Sequence, residues 1–309
     1  MKLKTTTIMA VTGLGAVTAQ AAVVSWDGGA GNFYGNANWT VGGTAAQTLA
    51  NQNGAGVNDD ITIGSGAVVY NPGEDLGNGW DATTLTIAGG SLTQNGTNWS
   101  QLNGATNLTV SGGDFITGAN NFYLSSTAQV NLSAGIFTNS GSSNFIVGLA
   151  GTDSAAFNMT GGTFNKTVGG EFKLRGGSTG SITGGTANVR FLSLGDFGQS
   201  NLTLGGTGTL NLTDGAAGAG LAGIYRANSS YIDITSSGAT FHVGNISVAQ
   251  ATAAYLDSNK VQFGGDGDNA LLQVVSDGAG GVNISAVPEP SSTALIGLGG
   301  LTLILRRRK

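Results

Sequence analysis

The chain has 309 residues, a net charge of −5, 55 glycines, 9% charged residues and no cysteine. Hydrophobic residues reach 40% while charge is sparse, which excludes the polar, highly charged composition of disordered chains. Without cysteine no disulfide can form, so stability must come from backbone pairing, a repetitive core or a metal.

In chain order the first element is residues 1–21. Lys2 and Lys4 precede an apolar run from Ile8 to Val17, followed by Ala19-Gln20-Ala21. A charged start, an apolar helix and a small-x-small site read as a secretory signal peptide cut after Ala21 by signal peptidase. Residues 22–84 form an N-terminal cap and first coils, with Trp26, Trp39, Trp80 and Asp59-Asp60-Ile61-Thr62-Ile63.

Residues 85–243 carry an internal repeat. Leu85-Thr86-Ile87-Ala88-Gly89-Gly90-Ser91-Leu92 recurs as Leu108–Phe115, Val130–Phe137 and Phe157–Phe164, with weaker copies near Ile182, Leu202 and Ile232. The second turn residue falls at 90, 113, 135, 162, 185 and 206, steps of 23, 22, 27, 23 and 21. A second strand lies between these copies: Asn121–Leu124, Asn144–Val147, Glu171–Leu174 and Arg190–Leu194. Each period thus holds two or three short alternating strands separated by glycine turns. One period cannot bury its own apolar face, but stacked periods can, and stacking pairs each backbone group with the coils above and below. The expected fold is all-β, a single-stranded parallel β-helix. Ile87, Val110, Leu132, Met159 and Leu204 form one inner ladder and Phe115, Phe137 and Phe164 another, with length variation absorbed in loops on one side. The alternative is an antiparallel β-sandwich with chance spacing. The stretch from Leu85 to about Val243 resembles the passenger-type repeats of autotransporter-like proteins, and that resemblance implies a right-handed helix.

Residues 244–286 are an irregular C-terminal cap, with a short helix over Ile246–Leu256 and a last strand at Val282-Asn283-Ile284. The tail, 287–309, has three parts. Val287-Pro288-Glu289-Pro290 is extended and accessible, because proline fixes φ and biases its predecessor away from helix. Ser291–Leu305 is 15 uncharged residues, against about 20 for a stable spanning helix. Arg306, Arg307, Arg308 and Lys309 form a cytoplasmic membrane stop. These parts resemble the PEP-CTERM sorting tail of bacterial exported proteins. The resemblance implies export to the cell envelope, surface or extracellular matrix, a transient inner-membrane hold, and cleavage near Pro288-Glu289-Pro290 by an exosortase-type transpeptidase. A permanent C-terminal anchor is the alternative.

Charge and chemistry narrow the function. Six of the twelve cations lie in the two end signals, leaving six against seventeen acids, a net of −11. No Lys or Arg occurs from Ala22 to Asn165, which argues against nucleic acid, whose binding needs a basic stripe, and against adhesion to acidic polysaccharide through that half unless cations bridge. His242 is the sole histidine and alternates with Phe241 and Val243, so it points outward as a surface residue. The acids are scattered, and Asp59-Asp60 and Glu74-Asp75 are adjacent pairs that point to opposite faces if on strands. No catalytic residue is assigned. Gly264–Leu272 looks like one nonapeptide of calcium-binding β-rolls, with Asn269 in place of the expected Asp. Asp266 and Asp268 are the weak metal candidates, and no cofactor is otherwise expected. The four tryptophans, Trp26, Trp39, Trp80 and Trp99, fit an N-terminal cap, or sugar stacking if exposed. Twelve Asn-x-Ser/Thr triplets follow from strand alternation. The leading reading is an exported, non-enzymatic structural protein of the cell surface or exopolysaccharide matrix, and the alternatives are a lyase, glycosidase or glycan-binding module on a β-helix, or a calcium-stabilised adhesin.

Overall fold

The structure, a computed structural model, describes residues 23–26, 28–33, 39–41, 44–45, 60–70, 84–96, 99–118, 120–213, 224–226, 229–265 and 269–287. The expected signal peptide, residues 1–21, the apolar stretch Ser291–Leu305 and most of the sorting tail lie outside them.

Almost every element is a short strand, and neighbouring coils pair in parallel. On the first face Asp60–Ile63, Thr84–Ile87, the start of Asn107–Thr117, the start of Gln129–Asn139, Ala156–Met159, Thr179–Ile182, Leu202–Leu204, Ile232–Ile234 and Val261–Phe263 stack in order. On the second face Ala67–Tyr70, Ser91–Gln94, the ends of the two long strands, Thr163–Lys166, Thr186–Val189, Thr209–Leu212 and Thr240–Val243 do the same. A third face is built from Ser100–Leu102, Phe122–Leu124, Phe145–Val147, Phe172–Arg175, Leu192–Asp196 and Ile224–Arg226. The result is a three-sided parallel β-solenoid of about 6 turns. Parallel register throughout the repeat rules out the antiparallel sandwich. The repeat also begins earlier than Leu85, because Val23–Trp26 and Ala30–Asn32 already pair in parallel with Asp60–Ile63 and Ala67–Tyr70.

Alternation makes the core. Ile63, Ile87, Val110, Leu132, Met159, Ile182, Leu204 and Ile234 occupy one register column and are fully buried. Phe115, Phe137 and Phe164 form a column on the second face, and Phe122, Phe145 and Phe172 one on the third. The two columns interdigitate: Phe122 and Phe145 stack at 5.4 Å, and Phe137 meets Phe145 edge-on at 5.4 Å. Such pairs add to the stabilisation from buried area alone.

The glycine pair between the first two faces has two separate causes. Gly162 takes φ of 74°, the left-handed conformation that a Cβ disfavours. Gly161 does not, but a Cβ there would collide with the Ser133 carbonyl of the preceding coil. One glycine turns the chain, and the other lets coils approach at strand spacing.

Register partners in adjacent coils are 20 to 37 residues apart along the chain. The expectation that extra length collects on one side is corrected here. It enters at 148–155 between the third and first faces, and also between the second-face strand Thr209–Leu212 and the third-face strand Ile224–Arg226. The corner between the first two faces varies less: three residues separate Ala156–Met159 from Thr163–Lys166, four separate Leu202–Leu204 from Thr209–Leu212 and five separate Ile232–Ile234 from Thr240–Val243.

Both ends change pairing mode. Val23–Trp26 pairs antiparallel with Trp39–Val41, and Val282–Ala286 pairs antiparallel with Thr240–Val243 and Leu272–Ser276. A reversed strand interrupts the stacking repeat and protects an open edge from further growth. Between them, Val248–Ala251 is α-helical with a Ser247/Gln250 capping box and runs into a π-helical turn, Thr252–Leu256, that buries Tyr255 against Phe241. Burial pushes the Tyr255 phenol well above its ordinary pKa.

Candidate functional site

The three faces differ in what they show to solvent. On the first, Asn158 donates to the Asn131 amide oxygen at 3.1 Å and Ser181 donates to Asn158 at 3.2 Å. On the second, Asn165 donates to Thr138 at 3.4 Å, Asn188 to Asn165 at 2.9 Å and Asn211 to Asn188 at 2.8 Å. Asn131, Asn158, Asn165 and Asn211 each begin an Asn-x-Ser/Thr triplet. Their amides are engaged along the solenoid axis, so the triplets serve coil-to-coil cohesion.

The third face has no such ladder. Its outward column runs Gln101, Tyr123, Ile146, Lys173 and Ser193, of which Ile146 and Ser193 are buried. Lys173 bridges Glu171 at 2.8 Å and Asp196 at 3.7 Å. At the leading corner the Arg190 guanidinium lies 4.8 Å from the Phe191 ring, and at the trailing corner Arg175 lies 5.1 Å from the Phe197 ring. Phe197 is 72% exposed. Trp99 is also exposed and meets Tyr123 edge-on at 6.2 Å. Trp26, in contrast, is buried in the N-terminal cap, where its indole donates to Gly29 at 3.4 Å. The tryptophans therefore divide between the two readings of them, with Trp80 and the Trp39 side chain outside the described residues.

A polar column inside the solenoid went unread in the sequence. At the last inward position of the second face stand Tyr70, Gln94, Thr117, Asn139 and Lys166, all buried. Tyr70 donates to Gln94 at 3.0 Å, and Thr117 donates to the same oxygen. The Lys166 ammonium donates to the carbonyls of Gly141 at 2.8 Å and Val168 at 2.5 Å. Burial first, and Arg190 second, lower its pKa to about 8. The signal was present in Thr163-Phe164-Asn165-Lys166, since an inward Phe164 obliges an inward Lys166 two residues on.

His242 sits at the outward position next to Asn211, as its alternation required, and Nε2 lies 3.0 Å from Asp277 Oδ2. The other Asp277 oxygen accepts from the backbone of Ala279 at 2.7 Å and Gly281 at 2.9 Å. The His242 hydrogen bond, then those two N–H groups, pull the Asp277 pKa down to about 2. The pair fastens the capping hairpin to the last coil. A nearby open groove of about 420 Å³ is lined by Asn245, Ile246, Ser247 and Gln250 among others, with no acid or histidine in its wall. Among the described residues no three His, Cys, Asp or Glu side chains converge as metal ligands. Asp266 and Asp268 fall outside the described residues, as do Asp59, Glu74 and Asp75. Asn269 spends its amide on the Leu256 carbonyl at 2.7 Å and on Asn259 at 2.9 Å, so it closes the helical turn.

The chain stays paired to the fold up to residue 287. Val282–Ala286 is a core-facing strand, and the next residue, Val287, still donates its N–H to Leu271 at 2.7 Å. Residues 286–309 match the PEP-CTERM protein-sorting motif. The motif marks an exosortase-processed protein exported to the cell surface. It begins on the last residue of the last strand, so the solenoid abuts the sorting segment. Of the sorting residues only Val287 is described, and it is exposed. Pro288, Glu289, Pro290 and the basic stop Arg306–Lys309 lie beyond, as do Ala19 and Ala21. No helix among the described residues is long and apolar enough to cross a membrane, and Ser291–Leu305 is not among them. No curated protein and no solved structure matches the chain.

Proposed function

We propose that this is a non-enzymatic structural rod of the cell surface or exopolysaccharide matrix, held by its C-terminal end. The observation that carries the reading is the seamless junction between the final strand Val282–Ala286 and a sorting motif that begins at residue 286. Processing near Pro288-Glu289-Pro290 leaves the solenoid close to the attachment point, with its coils stacked away from it. Residues 1–21 act as the signal peptide removed by signal peptidase, and Ser291–Lys309 as the transient membrane hold. The passenger-like character of residues 85–243 belongs to the same reading. The amide ladders favour a mechanical role over a catalytic one, because the polar groups of two faces are consumed in holding coils together. Affinity for a matrix polymer then comes from repetition along the rod.

The test has two parts. The exported protein is incubated with a panel of polysaccharides, and no new reducing ends or unsaturated products form; their release points instead to a carbohydrate-active enzyme. Cells carrying a chain cut before Pro288 are fractionated, and the protein moves from the surface to the medium or the periplasm. Unchanged surface retention defeats the reading.

A further inference from the structure

We infer that the trailing corner of the third face, around Arg175 and Phe197, binds a carboxylated sugar residue of an extracellular polysaccharide. The inference rests on the matrix role proposed above and adds the surface and the class of sugar.

Several departures from the repeat converge at this corner. The coil that passes through 148–155 is one of the long ones, with Asn131 and Asn158 27 residues apart. The extra residues place the Leu149 carbonyl where it accepts from Arg175 Nη1 at 3.0 Å. The same corner in other coils is turned by Gly104, Ser126, Gly177 and Ser229, all at positive φ. Phe197 takes φ of 63°, where a bulky side chain is a true outlier, and its ring projects into water. A residue that is both strained and exposed contributes nothing to folding that glycine or serine could not supply, and such outliers collect at functional sites. Gly151 leaves room for it, since a Cβ there would stand 3.2 Å from that of Phe197.

The polar groups are also left over. Arg175 makes no ion pair with a carboxylate among the described residues, and its Nε is buried, so a ligand meets the Nη1–Nη2 edge. Ser178 Oγ, almost fully buried at the same corner, has none either. The neighbouring acids are committed elsewhere: Asp196 to Lys173, and Asp153 to the Ala150 N–H at 2.8 Å.

An aromatic ring with a free face accepts the apolar face of a pyranose, and a guanidinium beside it accepts a carboxylate in a planar, two-donor geometry. Together they select a uronic acid over a neutral sugar. Arg190 beside Phe191 repeats the pairing at the opposite corner, so a polymer crossing the third face meets a cation at each edge, while Lys173 between them is held by Glu171 and Asp196.

The exported protein is run in native gels containing polygalacturonate or dextran. Polygalacturonate retards it, dextran does not, and retardation weakens as salt rises. Arg175→Lys, which keeps the charge but loses the planar fork, and Phe197→Gly, which the backbone accommodates, each weaken binding at least fivefold. Asn188→Ala on the ladder leaves it unchanged. Equal retardation by dextran, no retardation by either polymer, or wild-type binding by both corner variants overturns the inference. If the protein keeps its surface location in those cases, the matrix role stands without this site.

Discussion

Two aromatic regions of the molecule obey opposite rules. In the interior, Phe145 touches Phe122, Phe137, Phe157, Phe164 and Phe172, with centroids 5.3 to 5.9 Å away, and has no contact with water. At the trailing corner of the third face, Phe197 is bent into a left-handed conformation and meets one guanidinium. The same side chain is a packing element in one place and a presented group in the other. The difference follows from position. Inward register columns repeat from coil to coil and reward apolar residues every time. Corners escape that constraint, and there the sequence is free to vary.

The contrast is easiest to break with a pair of truncations. Phe145→Ala should cost about 3–5 kcal/mol, because the cavity it leaves is walled by rings that cannot collapse. Urea denaturation measures it, and a loss below about 1 kcal/mol would mean that the aromatic columns do not form the core. Lys166 tests the interior polar column. Its pKa falls from 10.5 to about 8 on folding, so between those values the unfolded chain holds the proton more tightly and stability rises with pH. The full change is on the order of 3 kcal/mol, complete above pH ~10.5 and absent below pH ~8. Lys166→Met should flatten that slope in melts between pH 8 and 10.5, and an unaltered slope would assign it to another group. On the ladder, Asn188→Ala removes one donated and one accepted hydrogen bond and should cost about 1 kcal/mol. A neutral result there would make the ladders free to bind glycan rather than coils. Smallest of all, Phe197→Gly should raise stability by about 0.5 kcal/mol by releasing backbone strain. A clear loss would move Phe197 into the same class as Phe145.

Much of the architecture was legible because alternation and turn chemistry repeat together. Leu85 and Ile87 pointed inward by periodicity, and Gly161-Gly162 marked a corner by composition. The sorting tail was legible from its order of charge and apolarity. The candidate surface was not. Phe197 lies in Gly195-Asp196-Phe197-Gly198, which reads as an ordinary turn, and nothing in it announces a partner 22 residues earlier at Arg175. Likewise the carbonyls of Gly141 and Val168 that hold Lys166 needed the fold. The Trp99 outcome also needed the fold, since sequence alone grouped it with the buried Trp26.

By itself the sequence determined the period, the inward columns, the lack of disulfides and the export motif, because each is a local pattern whose physical meaning does not depend on distant residues. Only the tertiary structure decided which corners carry the insertions, that the asparagine amides are spent on one another, and that Arg175, Ser178 and Phe197 share one corner. Those facts depend on coil-to-coil register, which places residues 20 to 37 positions apart in contact, and no local pattern encodes which of them meet.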